Sequence, residues 1–216
     1  MVLADWWDRV TGRAGKREVF PSRFGEAAVY AMPAEDGSLV RMLNVGGVLQ
    51  SATYLDERWA SCPFAYLRSF DHLFEAALPE ASDPLVVNRA LMLGGAGFAY
   101  PKQLLLEHPG VALDVVEIDP AMVQIARKRF FLDRLEMQLA AEGRADDLRI
   151  FVEDGEAFLR RRARDAMAGD VASSAVKRAL AGQEASAAHG LYDVIINDLF
   201  VGREAVPFFS SDEGIA

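Results

Sequence analysis

Apolar and polar residues alternate in short runs between about residues 17 and 55. Gly and Asp residues separate these runs, as in "EDGS", which lies between "EAAVYAM" and "LVRMLNV". Alternation with a period of two, bounded by turn residues, is typical of antiparallel hairpins. The pattern therefore predicts a small antiparallel β-hairpin domain over residues 1–56.

The spacing of the apolar residues changes over residues 57–84. Phe64, Leu67, Phe70 and Phe74 recur at the spacing of one helix face, which predicts an amphipathic linking helix from about residue 57 to 78. The segment "PEASDP" that follows contains two prolines and is the predicted boundary to a second unit.

Apolar strands alternate with helical segments over residues 85–216. The strands are "RALML", "ALDVVEI", "LRIFV" and "YDVIIND", and the best-marked helix begins at Asp119 and Pro120. This order predicts an α/β doubly wound domain, with a parallel sheet covered by helices on both faces. Residues 163–190 are rich in small residues without a clear period, which predicts an insertion in this domain.

Candidate binding residues follow each of the predicted strands. In an open parallel sheet, ligands bind beyond the carboxyl ends of the strands, and a glycine turn there allows backbone to approach a ligand. Glu117 ends the second strand at about the spacing at which an acid meets ribose hydroxyls. The candidates for an adenosine-type ligand are Gly94, Gly95 and Gly97 after the first strand, Glu117 and Asp119 after the second, and Asp154 and Gly155 after the third.

Asp198 ends the fourth strand and is the candidate for the centre of the cleft. Each of these features also has a structural alternative, because a glycine turn can be simple punctuation and Asp154 or Asp198 can cap a helix. Tyr100 breaks the G-x-G-x-x-G/A pattern of dinucleotide sites, and Pro101 removes an N–H donor from the helix start. A nucleoside carrying a sulfonium therefore fits this turn better than a dinucleotide does.

Charge and cysteine content narrow the class of partner. The 216-residue chain has a formal net charge of −9, which disfavours nucleic acid and anionic membrane as partners. Its single cysteine, Cys62, excludes an internal disulfide, and we expect a cytoplasmic protein. The three histidines, His72, His108 and His189, show no metal-ligand spacing with one another, so no metal is predicted.

Longer stretches of the chain resemble the spermidine/spermine synthase (polyamine aminopropyltransferase) family. They are "NVGGVLQSATYLDER", "FAYLRSFDH", "ALMLGGAGFAYPKQLLLEHPGVALDVVEIDPAMVQIARKRF", "LRIFVEDGEAFL" and "YDVIINDL". The "LGGAGFAYPK" form is most similar to the bacterial spermidine synthase-like branch. The resemblance implies an S-adenosylmethionine-dependent methyltransferase fold, Rossmann-like, and a homodimer.

The resemblance also implies roles for single residues. Glu117 would bind the ribose hydroxyls of S-adenosylmethionine or its decarboxylated form, and Asp154 would bind adenine. Gln50 and Tyr66 match positions that line the substrate and cofactor cleft. Asp198 matches the general base that takes a proton from the attacking amine. The implied reaction is aminopropyl transfer from decarboxylated S-adenosylmethionine to an amine, as in polyamine biosynthesis, with no metal cofactor.

The chain departs from the family pattern at three places. Gly97 stands where the family's glycine loop usually carries an acid, and Val201 and Gly202 stand where a second acid and a proline belong. Only 18 residues follow Asp198, so we expect the C-terminal strands of a complete methyltransferase sheet to be absent from this chain and a sheet edge to be exposed. Two alternatives stay open: a small-molecule methyltransferase, and a non-catalytic nucleoside-binding or oligomerisation module.

Overall fold

The computed structural model describes residues 17–74, 86–179, 192–201 and 204–205. The predicted boundary segment "PEASDP", together with His189 and Gly202, lies outside these residues.

The N-terminal unit is one antiparallel sheet. Its strands are β1 (Glu18–Ser22), β2 (Gly25–Pro33), β3 (Leu39–Val45) and β4 (Val48–Tyr54), paired in the order β1-β2-β3-β4. The hairpins expected from the period-two alternation are confirmed, and β1 is a further strand that the pattern did not separate. The buried face of this sheet packs against the second unit through Leu43 and Val45, which contact Met122 and Phe130.

The linking segment is less helical than its apolar spacing predicts. The helix α1 covers only Ala65–Arg68, and a 3₁₀ helix follows over Ser69–Phe74. The prediction of a helix from residue 57 is wrong because the chain turns there, with the Trp59 amide donating to the Asp56 carbonyl at 3.2 Å. Pro63 lacks an N–H and disfavours the helical conformation in the residue before it. Leu67 is nevertheless buried in the core, and Phe64, Phe70 and Phe74 are partly buried and pack against it.

The second unit is a four-stranded parallel sheet with helical crossovers. The strands β5 (Arg89–Leu93), β6 (Ala112–Val116), β7 (Leu148–Phe151) and β8 (Val194–Asn197) are paired in the order β7-β6-β5-β8. The helices are α2 (Ala99–Glu107), α3 (Pro120–Arg129), α4 (Leu132–Ala141) and α5 (Gly155–Ala179), and a short 3₁₀ helix (Ala145–Asp147) precedes β7. After β8, β9 (Phe200–Val201) pairs antiparallel with β10 (Glu204–Ala205).

Helices cover both faces of the parallel sheet. On one face Ala90 and Met92 of β5 belong to the core that includes residues of α2, α3 and α4. On the other face Leu91 and Leu93 pack with Phe158 of α5. The strands are therefore apolar on both sides, which explains their near-continuous hydrophobic runs. The doubly wound α/β architecture expected from the strand and helix alternation is present.

The α5 helix extends into the stretch that the sequence analysis treats as an insertion. It continues through residues 163–179, while residues 180–190 lie outside the described part of the chain. Alanine has the highest helix propensity, so an Ala-rich segment without an apolar face can extend a helix that is exposed, as Ala163–Asp165 are. In the ranges that the structure describes, no helix is both long and apolar enough to cross a membrane.

A buried carboxylate connects the strands beneath α5. Asp114 of β6 is 1% exposed and accepts hydrogen bonds from Arg149 at 2.7 Å, from Arg89 at 3.1 Å and from the Tyr192 hydroxyl at 2.5 Å. Burial raises the pKa of Asp114, and its hydrogen bond with Tyr192 and the nearby arginines oppose that shift. This network belongs to the structure of the sheet rather than to the cleft.

Candidate functional site

A cavity of about 700 Å³ lies where the carboxyl ends of the parallel strands meet the N-terminal sheet. Every strand of the parallel sheet contributes the residues that follow it, and the N-terminal unit closes the other side. The lining residues that the argument uses are Arg23, Gln50, Tyr66, Gly94, Glu117, Asp154, Gly155, Glu156 and Asp198. The volume falls within the range of about 300–1,000 Å³ that is usual for small-molecule sites.

The glycine turn after β5 packs tightly against the rest of the protein. Gly94 has a φ of +91°, and a Cβ there would lie 2.6 Å from the Asp198 carbonyl oxygen. At Gly95 a Cβ would lie 2.8 Å from the Phe98 ring, and at Gly97 it would lie 2.5 Å from Ser51 Oγ. Gly94 lines the cavity, whereas Gly95 and Gly97 do not. The small residues are therefore required at least as much by packing within the protein as by a ligand.

Glu117 is held in place by backbone amides. Its Oε2 accepts hydrogen bonds from the amides of Gly95 at 3.0 Å and Ala96 at 2.9 Å, and its Oε1 accepts one from the Asp119 amide at 2.9 Å. The side chain is nearly buried but borders the cavity. Each carboxylate oxygen has further acceptor capacity, so Glu117 can also accept from the hydroxyls of a ligand.

Asp119 has a structural role in this arrangement. Its Oδ1 caps α3 by accepting from the Ala121 amide at 2.9 Å, and Pro120 occupies the first helical position. Its Oδ2 accepts from the Arg23 amide at 2.7 Å, which ties the β1–β2 turn to the parallel sheet. Asp119 is 2% exposed and does not line the cavity. Like Gly95 and Gly97, Asp119 is therefore a predicted ligand residue that lies outside the cavity lining.

Asp154 and Gly155 reach the cavity at the start of α5. Asp154 is exposed, and its Oδ1 accepts a hydrogen bond from the Ala157 amide at 3.0 Å. The capping role that the sequence analysis left open as an alternative is thus present, and the same carboxylate borders the cavity. Asp154 both caps α5 and borders the cavity, because α5 begins directly after a strand whose carboxyl end lies at the cleft.

Among the carboxylates that border the cavity, the Asp198 side chain has the fewest hydrogen-bond donors. Its backbone amide donates to the Leu93 carbonyl at 2.9 Å, but no described residue donates a hydrogen bond to its side chain. Burial alone raises the pKa of Asp198 to about 6. A carboxylate in this state accepts a proton more readily than an ordinary aspartate does, and it suits a cationic ligand.

Gln50 and Tyr66 border the cavity on the side of the N-terminal unit, as the resemblance implies. Tyr66 belongs to α1, and its ring stacks on Phe64 with 5.9 Å between the ring centroids. Burial, followed by the charge of Asp198, raises the pKa of the Tyr66 hydroxyl. Tyr66 and Asp198 thus face the same part of the cavity.

Arg23 is a lining residue that the sequence analysis did not identify. It lies in the turn between β1 and β2, and it is the one cation among the described residues that line the cavity. The stretch "SRFG" indicates only a turn, and the contact with Asp119 that positions Arg23 spans 96 residues of sequence. No local pattern in the sequence could have placed this side chain in the cleft.

The sequence matches no known protein-family profile and no curated protein. It is similar in structure to a probable spermidine synthase from Corynebacterium glutamicum, with a TM-score of 0.56 and 18% identity over 91% of this chain and 56% of that one. Two further similar structures are spermidine synthase from Thermotoga maritima (TM-score 0.43, 16% identity, 67% of this chain and 42% of that one) and human methyltransferase-like protein 13 in complex with SAH (TM-score 0.38, 22% identity, 69% and 51%).

The first of these similarities establishes the fold. The protein has a Rossmann-like methyltransferase fold preceded by a small antiparallel sheet. The chain spans a little over half the length of that synthase.

Proposed function

We propose that this protein binds decarboxylated S-adenosylmethionine in the cavity and transfers its aminopropyl group to a small amine. The observation that carries the proposal is the cavity at the carboxyl ends of the strands, which two carboxylates border. Backbone amides hold Glu117 in place, whereas no described residue donates a hydrogen bond to the Asp198 side chain. The fold, shared with a probable spermidine synthase, is compatible with this chemistry.

The binding half of the proposal assigns the nucleoside to β6 and β7. Glu117 would accept from the two ribose hydroxyls, because a carboxylate presents two acceptor oxygens to a vicinal diol. Asp154 would accept from the exocyclic amine of adenine. The cavity is acidic, since Glu117, Asp154, Glu156 and Asp198 face it, and this charge favours a ligand with a sulfonium and an additional ammonium group.

The chemical half assigns proton transfer to Asp198. The amine nitrogen would form a bond to the carbon beside the sulfonium while the carbon–sulfur bond breaks, and its electrons would leave on sulfur as neutral methylthioadenosine. Because the free amine is an ammonium ion at neutral pH, it would first pass a proton to Asp198, whose pKa of about 6 leaves it ionised, and the neutral amine would then attack. Most of the rate would come from holding the two reactants in line.

A methyltransferase is the second candidate, and Arg23 is the observation that favours it. S-adenosylmethionine carries a carboxylate that its decarboxylated form lacks, and Arg23 could pair with this group. In addition, Ser51 occupies the space next to Gly97, where an acid that grips a polyamine would have to fit. In this case the methyl group would leave the sulfonium and S-adenosylhomocysteine would be the product.

Calorimetric titration with the two ligands in parallel tests both candidates. We expect tighter binding of decarboxylated S-adenosylmethionine, and little effect of Arg23→Gln on that affinity. If S-adenosylmethionine binds more tightly and Arg23→Gln removes the preference, the methyltransferase replaces the first proposal. If neither ligand binds to the folded protein, both proposals are wrong.

A further inference from the structure

A second cluster of chemically active side chains lies away from the cavity. Asp71 of the 3₁₀ helix, Glu107 at the last position of α2 and His108 directly after it each offer one ligand atom, and these atoms lie within 4.8 Å of one another. The glycine turn of the cleft precedes the first residue of α2, whereas Glu107 and His108 stand at the opposite end of the helix. The cluster is therefore separate from the cavity, and none of its residues lines it.

Neighbouring side chains hold the cluster in position. The buried Gln103 donates from Nε2 to Asp71 Oδ2 at 2.8 Å and to Glu107 Oε2 at 3.2 Å. Its own Oε1 accepts from the Cys62 amide at 2.8 Å, which fixes the amide. The His108 ring stacks on Phe74 with 3.7 Å between the centroids and 11° between the planes. Outer hydrogen bonds and packing of this kind orient the ligands of a metal site.

Two buried polar atoms beside the cluster make no hydrogen bond of normal geometry with a described residue. Asp71 Oδ1 is shielded from solvent and receives no hydrogen bond from a described residue. The Tyr100 hydroxyl belongs to a fully buried residue and lies beside the Asp71 carboxylate, whose charge and hydrogen-bonding contact add to burial in raising the pKa of Tyr100. Unpaired buried polar atoms are costly and uncommon in folded proteins. Because the contact between Tyr100 and Asp71 is poorly formed, Asp71 Oδ1 keeps an acceptor position that a cation can occupy.

We infer that Asp71, Glu107 and His108 bind a divalent transition-metal ion. Two carboxylates and an imidazole are ligands that Zn²⁺ accepts, whereas Mg²⁺ and Ca²⁺ prefer oxygen ligands alone. Bonds of about 2.1 Å at tetrahedral angles place ligand atoms about 3.4 Å apart. The exposed Glu107 side chain can move to reach this spacing. A cation also offsets the repulsion between the two carboxylates.

The inferred ion would join the 3₁₀ helix to the end of α2. The spacing among the three histidines predicts no metal, because it leaves out the carboxylates that surround His108. Glu107 and His108 are adjacent in sequence, but Asp71 comes from a different element and is brought to them only by the packing of the linking segment on α2. This inference does not rest on the proposed function of the cavity.

Titration of the metal-free full chain with ZnCl₂ tests the inference. We expect one ion per chain and a rise in Tm on binding, because an ion that binds only the folded state stabilises it. His108→Ala and Asp71→Asn should each weaken the affinity at least about 10-fold. Tyr100→Phe should weaken it too, since it removes the hydroxyl beside Asp71. Substituting Co²⁺ should give visible absorption that His108→Ala abolishes.

His72→Ala is the matched control, because His72 neighbours Asp71 in sequence but does not belong to the cluster. It should leave the affinity for Zn²⁺ unchanged. If Asp71→Asn does not fold, Glu107→Gln at the exposed position replaces it. The inference is wrong if the wild type binds no stoichiometric Zn²⁺, or if His72→Ala removes binding while His108→Ala and Glu107→Gln retain it.

Discussion

The end of β6 and the end of β8 contribute one carboxylate each to the same cavity, but the two carboxylates differ in the number of hydrogen-bond donors around them. Glu117 after β6 accepts three backbone hydrogen bonds, while no described residue donates one to the Asp198 side chain after β8. A carboxylate with many donors is held in one position as an acceptor, whereas a largely buried carboxylate without donors takes a proton more readily. Under the proposed function, this difference assigns binding to one strand end and chemistry to the other.

The local chain explains this difference. At the end of β6, the glycine turn that follows β5 and the start of α3 both direct free N–H groups at Glu117, because helix starts and tight turns leave amides without partners. After β8, the chain passes so close to Gly94 that backbone packs on backbone, and the Asp198 side chain is left to face the cavity. The comparison can be tested at each of these points.

The largest effect is expected from Asp198→Asn. If Asp198 is the base, its loss should lower kcat/KM by about 10²–10⁴-fold, the usual contribution of a general base, with ligand affinity little changed. Release of methylthioadenosine from decarboxylated S-adenosylmethionine with an amine measures the rate, and calorimetry measures the affinity. Turnover that Asp198→Asn leaves unchanged would contradict a catalytic Asp198, and binding without any turnover in either protein would favour a non-catalytic nucleoside-binding module.

For stability we expect the reverse of the effect on activity, with a larger loss on replacing Glu117 than on replacing Asp198. Glu117→Ala leaves the amides of Gly95, Ala96 and Asp119 without their acceptor, so we expect the free energy of unfolding to fall by about 3 kcal/mol. Asp198→Ala should change it by less than about 1 kcal/mol, because no described residue loses a hydrogen bond. Denaturant unfolding of both variants measures this. Equal losses of unfolding free energy in the two variants would show that hydrogen bonds do not hold Glu117 more firmly than Asp198.

Gly97→Asp tests whether the glycine turn can take the acid that the resembled family carries. Because a Cβ there would lie 2.5 Å from Ser51 Oγ, we expect the free energy of unfolding to fall by about 2 kcal/mol through overpacking, without a gain in diamine affinity. Gly110→Asp is the matched control, since a Cβ at Gly110 meets no atom within 4 Å. A stable Gly97→Asp protein that binds a diamine more tightly would contradict this expectation.

The smallest effect is the pH dependence. Since burial raises the pKa of Asp198 to about 6, the base is increasingly protonated below that pH, and the ratio of kcat/KM between the wild type and Asp198→Asn should fall about 10-fold for each pH unit below 6 and be level above it. The Asp198→Asn variant should lack this step. With an aspartate at its ordinary value of 3.8, the ratio would instead be level down to about pH 5, provided circular dichroism shows the protein folded throughout.

Much of the fold could be predicted from the sequence. The four apolar runs of the second unit became β5 to β8, and "EAAVYAM" and "LVRMLNV" became neighbouring antiparallel strands, because period and turn residues are local properties. The prediction of a long linking helix was wrong for a local reason too. Pro63 and the turn at Asp56 prevent a helix there, and the apolar residues of the segment pack on the core without one.

The candidate site could be predicted only in part. The strand-end acids Glu117, Asp154 and Asp198 border one cavity because parallel strands bring their carboxyl ends to the same edge. Asp119 follows Glu117 by two residues, but it serves as a helix cap and as an acceptor for the Arg23 amide. Residue type and position alone could not separate the two acids, because the difference lies in which donors surround each one.

The sequence by itself determined the order of strands and helices and the chemical type of each strand-end residue, because these follow from side-chain period and local backbone preference. Only the tertiary structure decided how those residues are used. It placed Arg23 in the cleft, filled the space beside Gly97 with Ser51, and brought Asp71 to His108. Each of these contacts joins residues far apart in sequence, and burial and unmatched charge arise only when such residues pack together.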